Sequence, residues 1–283
     1  MSTDIEKIVY LIFHVIRLVL NLSIFIGTLL FLFGGCLHDQ LRSSKRQWLV
    51  FNICLAMIVF AIINSVFAML PLAPTYQTVL AVQVCTLQHY LEDIAQGQVA
   101  YSFVMFCMHQ IGPQEWRKRS FLWFAICVGI QWLCSYLLPL PQILMSNIFI
   151  CFAFFPNQFF VIYSVAFLLA LPVFLHLMIC IIMTIFKTNE TTNNQIYPAG
   201  QINSIEIDHQ LLMKYMLIMA LLFDIIGYGP RSILAVIDYQ LQQSIAIYAV
   251  LEILPSLCLL IDLGLLYKMN KEVRKKFTSV CGC

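Results

Sequence analysis

Five carboxylates lie inside long apolar runs of this chain: Glu92, Asp93, Asp224, Glu252 and Asp262. A charge at mid-membrane costs about 2.5–3.5 kcal/mol even on the lower, insertion-derived scale, so in a lipid-embedded chain each must face other protein groups. Cys85, His89, Glu92 and Gln96 recur at spacings of four, three and four, which puts them on one helical face. Asp224, Tyr228 and Arg231 share another face at four and three, and Pro230 frees a backbone acceptor that can bend the helix between them. Residues of these types can hold a ligand by charge, pair with one another, or couple to ion movement. For Arg231, an internal ion pair with Glu92 or Glu252 and direct ligand contact are both open. Metal and nucleophilic chemistry lack support: His14, His38, His89, His109, His176 and His209 are dispersed, with no His-x-x-x-His or Glu-x-x-His, and no nucleophile stands beside a base. The expectation is a chain that is not an enzyme and carries no cofactor.

The elements that must position these residues follow from composition. Of 283 residues, 61% are hydrophobic and 11% charged, a balance that water does not dissolve. A hydrocarbon core about 30 Å thick takes roughly 20 apolar residues per helical crossing, so the chain is long enough for a bundle. Apolar runs of spanning length lie near 10–35, 48–70, 79–108, 121–140, 159–186, 211–237 and 245–267. Helix is the expected form, because a lone apolar segment in lipid must satisfy its own backbone groups and no alternating segments suggest a barrel. The fold class is therefore an all-α membrane protein, a single seven-transmembrane helix bundle over 1–283, followed by a short amphipathic helix over 269–279. The first run has no cleavage-site pattern before it and is read as a retained span rather than a signal peptide. Most of the eleven cysteines lie within apolar runs and act there as small hydrophobes.

Lys and Arg set the orientation. Arg42, Lys45 and Arg46 follow span one, Arg117, Lys118 and Arg119 follow span three, and Lys268, Lys271, Arg274, Lys275 and Lys276 lie in the tail. With Lys187 and Lys214 around the loop after span five, thirteen of the sixteen basic residues fall on one face, and the loops after spans two and four have none. By the positive-inside rule that face is cytoplasmic and the N-terminus is outside; the expected location is the plasma membrane. The sequon Asn189-Glu190-Thr191 then lies on the cytoplasmic side, and Asn21-Leu22-Ser23 lies within span one, so neither is expected to carry a glycan. Arg17 is expected to snorkel to the outer interface, with His14 near it. The formal charge of +2 points to no nucleic-acid partner.

The stretch from Asp262 through Tyr267 into Asn270-Lys271-Glu272-Val273-Arg274-Lys275-Lys276-Phe277 resembles the end of span seven and the eighth helix of rhodopsin-like G-protein-coupled receptors. Leu263 replaces the proline of that motif, and Tyr267 comes one place late. Gly27-Thr28-Leu29-Leu30 and Asn52-Ile53-Cys54-Leu55-Ala56 resemble the family's patterns in spans one and two, with Val59 where an aspartate is expected. Trp132, Pro139, Pro172 and Pro230 fall in spans four, five and six as the family has them. His109-Gln110-Ile111 stands where the family carries Asp-Arg-Tyr. Degraded motifs of this kind are similar to those of expanded invertebrate chemosensory or peptide-receptor lineages. No lysine lies in span seven before Lys268, so an opsin Schiff base is not expected there.

The resemblance implies a disulfide between Cys85 and Cys151, palmitoylation at Cys281 and Cys283, and an extracellular ligand, a small molecule or short peptide, held between spans three, five, six and seven. It places Glu92 where amine receptors hold their carboxylate and Tyr228 where many members have an aromatic switch. The implied ligand set is Glu92, His89, Gln96, Tyr228, Arg231 and Glu252, and the inner core is Asp224, Asp262, Tyr267, His109 and Gln110. Signalling would run through outward movement of span six to a heterotrimeric G protein. Arg117, Lys118, Arg119, Lys271, Arg274 and Lys275 would meet lipid headgroups or that partner. Two rivals stand beside this reading: a secondary transporter or proton-coupled carrier using the buried acids, although no internal repeat is seen, and a receptor-like protein that has lost signalling.

Overall fold

The computed structural model describes residues 4–36, 45–69, 81–111, 120–141, 158–194, 204–237 and 245–269, and among these every regular element is helical. In chain order α1 is Asp4–Cys36, α2 Lys45–Met69, α3 Ala81–Ile111 and α4 Phe121–Leu137. α5 covers 158–194 as Gln158–Val165, a π-helical stretch Ala166–Ala170, and Leu171–Asn194. α6 covers 204–237 as Ser204–Leu221, a π-helical stretch Leu222–Tyr228, and Gly229–Ile237. α7 covers 245–269 as Ile245–Leu251 and Ile253–Met269, with Glu252 at the break.

Apolar composition makes these helices membrane-compatible, and their packing sorts them into centre and rim. Ile8–Gly34, Gln47–Met69, Ile162–Ile185, Leu212–Ile237 and Ile247–Met269 are long and apolar enough to cross a bilayer, and Phe121–Leu137 is a shorter apolar helix. α3 is not among them because Gln88, His89, Glu92, Asp93, Gln96 and Gln98 dilute its apolar surface. It can carry those residues because it is the central helix, packed against α2, α4, α5 and α6. The core around it joins Met57 and Phe60 of α2, Phe103 and Phe106 of α3, Met216 and Phe223 of α6, and Leu259 of α7. Large apolar side chains such as Phe33, Leu122 and Ile237 point outward instead, the arrangement expected of a bundle solvated by lipid. At the start of α4, the Ser120 hydroxyl accepts a hydrogen bond from the Trp123 N–H, satisfying one of the unpaired first-turn donors.

Three prolines shape the helices that carry the charged residues. A proline inside a helix lacks a donor, and its ring crowds the carbonyl four residues back. In α5 the N–H of Leu171 donates to the Ala166 carbonyl, five residues back, immediately before Pro172. In α6 the N–H of Gly229 donates to the Asp224 carbonyl, immediately before Pro230. Both helices thus widen into a π turn just ahead of their proline, which relieves the crowding without ending the helix. In α7 the corresponding strain falls on Leu251, four residues before Pro255, and the helix breaks at Glu252. α6 and α7 also approach closely at Gly227, where an added Cβ would lie 3.2 Å from the Pro255 Cα.

Candidate functional site

Two arginines and two glutamates form a closed ring of alternating charge. Arg17 of α1 lies 2.8 Å from Glu92 of α3 and 2.5 Å from Glu252 of α7. Arg231 of α6 lies 3.2 Å from Glu92 and 3.8 Å from Glu252, which closes the circuit. Arg17 also donates to the Asn64 side chain of α2, and Gln88 Nε2 donates to Glu92 Oε1 at 3.2 Å. Residues near the starts of α1, α3 and α7 therefore meet residues near the ends of α2 and α6, so neighbouring helices alternate in direction. The ring marks one end of the bundle, above the apolar core.

Burial grades across the ring. The side chains of Arg17 and Glu92 are 2% and 3% exposed, whereas Arg231 and Glu252 are each 14% exposed. The long Arg231–Glu252 side is thus also the open one. Two charges taken out of water repay their desolvation only with close, multiply bonded partners, and a ring gives each charge two.

Arg17 departs from the expectation of a snorkelling side chain. The helix begins at Asp4 and its apolar stretch at Ile8, which puts Arg17 about 13 Å along the axis at roughly 1.5 Å per residue. Its side chain turns inward, 2% exposed, and the two glutamates supply what an interface would have. Both of the open Arg231 pairings, with Glu92 and with Glu252, are present together. The signal that could have placed Arg17 was charge balance: several buried acids and one buried Arg231 leave a deficit that the next cation in an apolar span must fill.

The remaining members of the implied ligand set lie at graded distance from the ring. His89 is half-buried one turn before Glu92. Gln96 is buried and donates to the Leu168 carbonyl, 3.3 Å away in the π stretch of α5, so it ties α3 to α5. Tyr228 is buried, its ring edge-on to Phe223 with centroids 5.2 Å apart. Asp93 accepts from Ser164 of α5 at 3.4 Å.

Further along the bundle, Asp224 Oδ2 lies 3.2 Å from His176 Nδ1, and both are buried. Asp262 is 0% exposed, and among the described residues neither of its oxygens has a hydrogen-bond partner. Tyr267 packs against the apolar core. His109 lies with its ring edge-on to Phe124, and Gln110 is half-buried. A polar cluster that spacing along the sequence does not reveal locks α2, α3 and α4. Asn52 donates to Ser102 and Gln131 at 3.2 and 3.1 Å and accepts from Trp132 Nε1 at 2.7 Å. Gln131 donates to Gln98 Oε1 at 3.1 Å. These residues are scattered over 80 positions, and only three-dimensional packing joins them.

Cys85 lies in the first turns of α3, with its side chain outside what is described. Cys151, Cys281, Cys283, Arg117, Lys118, Arg119, Lys271, Arg274, Lys275 and the amphipathic helix over 269–279, apart from Met269, lie outside the described residues. Among the described residues, no group of three His, Cys, Asp or Glu side chains is arranged to hold a metal ion.

Neither a protein-family profile nor any curated protein matches the sequence. The three-dimensional arrangement does have counterparts among solved structures. Squid rhodopsin superposes with a TM-score of 0.79 over 96% of this chain and 85% of that chain, at 11% sequence identity. The chain is thus a multi-pass helical membrane protein with the rhodopsin-like receptor fold.

Proposed function

We propose that this chain is a plasma-membrane G-protein-coupled receptor whose N-terminus is extracellular and whose ligand, a small molecule or short peptide, binds at the charge ring. The reading rests on one observation above others: α6 contributes Arg231 to the ring directly after its π turn and Pro230. A ligand that changes the partners of Arg231 pulls on the helix whose bending would open the opposite end. Glu92, Arg231 and Glu252 would contact ligand, His89 would lie beside Glu92, and Tyr228 and Gln96 would carry the change toward α5 and the core. Asp224, with His176 across from it, and Asp262 lie between the ring and the far end, on the two helices that approach at Gly227. Activation then requires only that ligand bind the opened arrangement more tightly than the closed one. A Cys85–Cys151 disulfide would cap the ligand end, and palmitoylated Cys281 and Cys283 with the basic residues from Arg117 to Arg119 and Lys271 to Lys275 would face lipid and G protein.

The test is a ligand screen in cells that report cyclic nucleotide, calcium and arrestin recruitment, run with wild type and Glu92→Gln. Ligand-dependent signalling that weakens in Glu92→Gln is the expected result. Substrate-dependent transport currents with silence in all three reporters would replace the receptor with a transporter.

A further inference from the structure

Two histidines stand one turn outside the charge ring. His14 precedes Arg17 on α1 by three residues and His89 precedes Glu92 on α3 by three, so each lies about 4.5 Å nearer the start of its helix, on the same side of it. His14 is 4% exposed, with its ring edge-on to Tyr10 and centroids 4.3 Å apart. Among the described residues neither of its nitrogens has a hydrogen-bond partner. An imidazole buried in this way carries a desolvation cost that a phenyl ring in its place would not. The charges that act on it are Glu252 of α7, Arg17 of α1 and Glu92 of α3. Around these stand His89 and Asp93 of α3, which act on Glu92 and Arg231, Arg231 itself on α6, and Tyr248 one turn before Glu252 on α7. α2 brings Asn64 and has no titratable residue in this half. On the receptor reading of this site, we infer that the proton is a ligand in its own right: His14 takes one up when the outer side is acidified, and the imidazolium draws Glu252 away from Arg231.

Histidine is the side chain that ordinarily changes charge between about pH 5 and pH 8, and a proton gives a neutral imidazole a second N–H donor. Of the two acids that act on His14, Glu252 is the freer, at 14% exposed against 3% for Glu92, and it sits at the break between the two segments of α7. Arg17 is on the same helix as His14, so a move of Glu252 toward α1 keeps that contact. The contact left behind is the one to Arg231, at 3.8 Å the longest of the four around the ring. Arg231 retains Glu92 and its further contacts. The change is therefore confined to the link between α6 and α7, directly beside Pro230 and the π turn of α6. His89 differs in this respect, since the acid it acts on is Glu92, which joins α3 to α1 and α6.

The experiment is NMR of the purified full-length chain in lipid nanodiscs, with isotope-labelled histidine and arginine side chains, titrated from about pH 8 to about pH 5. The imidazole resonance missing from His14→Phe identifies His14, and the guanidinium resonance missing from Arg231→Lys identifies Arg231. The His14 resonance should titrate within that range, and the Arg231 resonance should shift with the same midpoint. In His14→Phe, which keeps a ring against Tyr10, the Arg231 shift should be lost; in His89→Gln most of it should remain. In cells, acidifying the medium to about pH 6 should change the reporter signal of wild type and not that of His14→Phe. A His14 resonance that does not titrate, or an Arg231 shift that survives His14→Phe or vanishes only in His89→Gln, overturns the inference. Where no His14 variant folds, a wild-type spectrum without any arginine shift between the two pH limits overturns it as well. The receptor reading is judged separately: coupled titration of His14 and Arg231 with silent reporters keeps the proton site and removes the receptor, and ligand-dependent signalling without that titration does the reverse.

Discussion

Arg17 makes polar contacts to three other helices, through Glu252, Asn64 and Glu92. Removing it by Arg17→Met strips Asn64 of a donor and leaves Arg231 as the one arginine of the ring for both Glu92 and Glu252. Breaking a buried pair from one side costs about 3–5 kcal/mol, so the thermal midpoint of the purified protein should fall sharply. Arg17→Lys should recover only part of the loss, since a point-like ammonium cannot serve three acceptors in the geometry of a planar fork. A midpoint unchanged in Arg17→Met would mean that the ring contributes nothing to holding α1. Asp262 behaves in the opposite sense. A buried carboxyl without a donor for either oxygen among the described residues is costly in any protonation state, and an amide of the same shape is a weaker burden. Asp262→Asn should therefore raise the midpoint, by about 1–3 kcal/mol of unfolding free energy. A lowered midpoint would show that the acid holds a structural partner.

At the scale of elements, the proposed movement of α6 would have to work against its contact with α7. Gly227 brings the π turn of α6 against the backbone at Pro255, and backbone cannot step aside as a flexible side chain can. Gly227→Ala should part the two helices and cost about 1–3 kcal/mol, the range for overpacking. Gly129 of α4 is the internal control, because an added Cβ there meets nothing within 4 Å. Gly129→Ala should leave stability equal or raise it by up to about 1 kcal/mol, the helix-propensity difference. Comparing the two midpoints separates crowding from propensity. The helices themselves were legible, because lipid demands apolar length and intrahelical hydrogen bonds whatever the neighbours are. The faces of α3 and α6 were legible for the same reason, since a charge in lipid must turn inward. The π turns were not, because a proline announces strain without saying whether a helix kinks, widens or breaks. Pro172, Pro230 and Pro255 reach two of those outcomes, and the choice depends on what packs beside each. Three of the ring's four members, Glu92, Arg231 and Glu252, were legible as charges that had to turn inward. Arg17 was not, because its place in the first span also fits a side chain at an interface, and its contact with Asn64 is a property of the assembled bundle.

For the whole molecule, what matters is which end of the bundle faces the outside, since a ring at the cytoplasmic end could sense no extracellular ligand. The ring lies near the starts of α1, α3 and α7, and the basic residues lie beyond the ends of α1, α3 and α7, so the two features mark opposite ends. Arginine and lysine near span ends are commonly retained on the cytoplasmic side, and on the orientation proposed from that rule the ring would face outside. An N-terminal epitope tag should then be stained on intact cells and a C-terminal tag only after permeabilisation. Asn189 should remain without a glycan, as should Asn21, which is fully buried and accepts from Ser256 at 2.9 Å. Both tags stained on intact cells would require an even number of crossings. That would remove the rhodopsin-like arrangement as it sits in a membrane, and the extracellular ligand with it. Tags reversed in accessibility would keep the fold but turn the ring toward the cytosol, and any ligand would then have to arrive from within the cell.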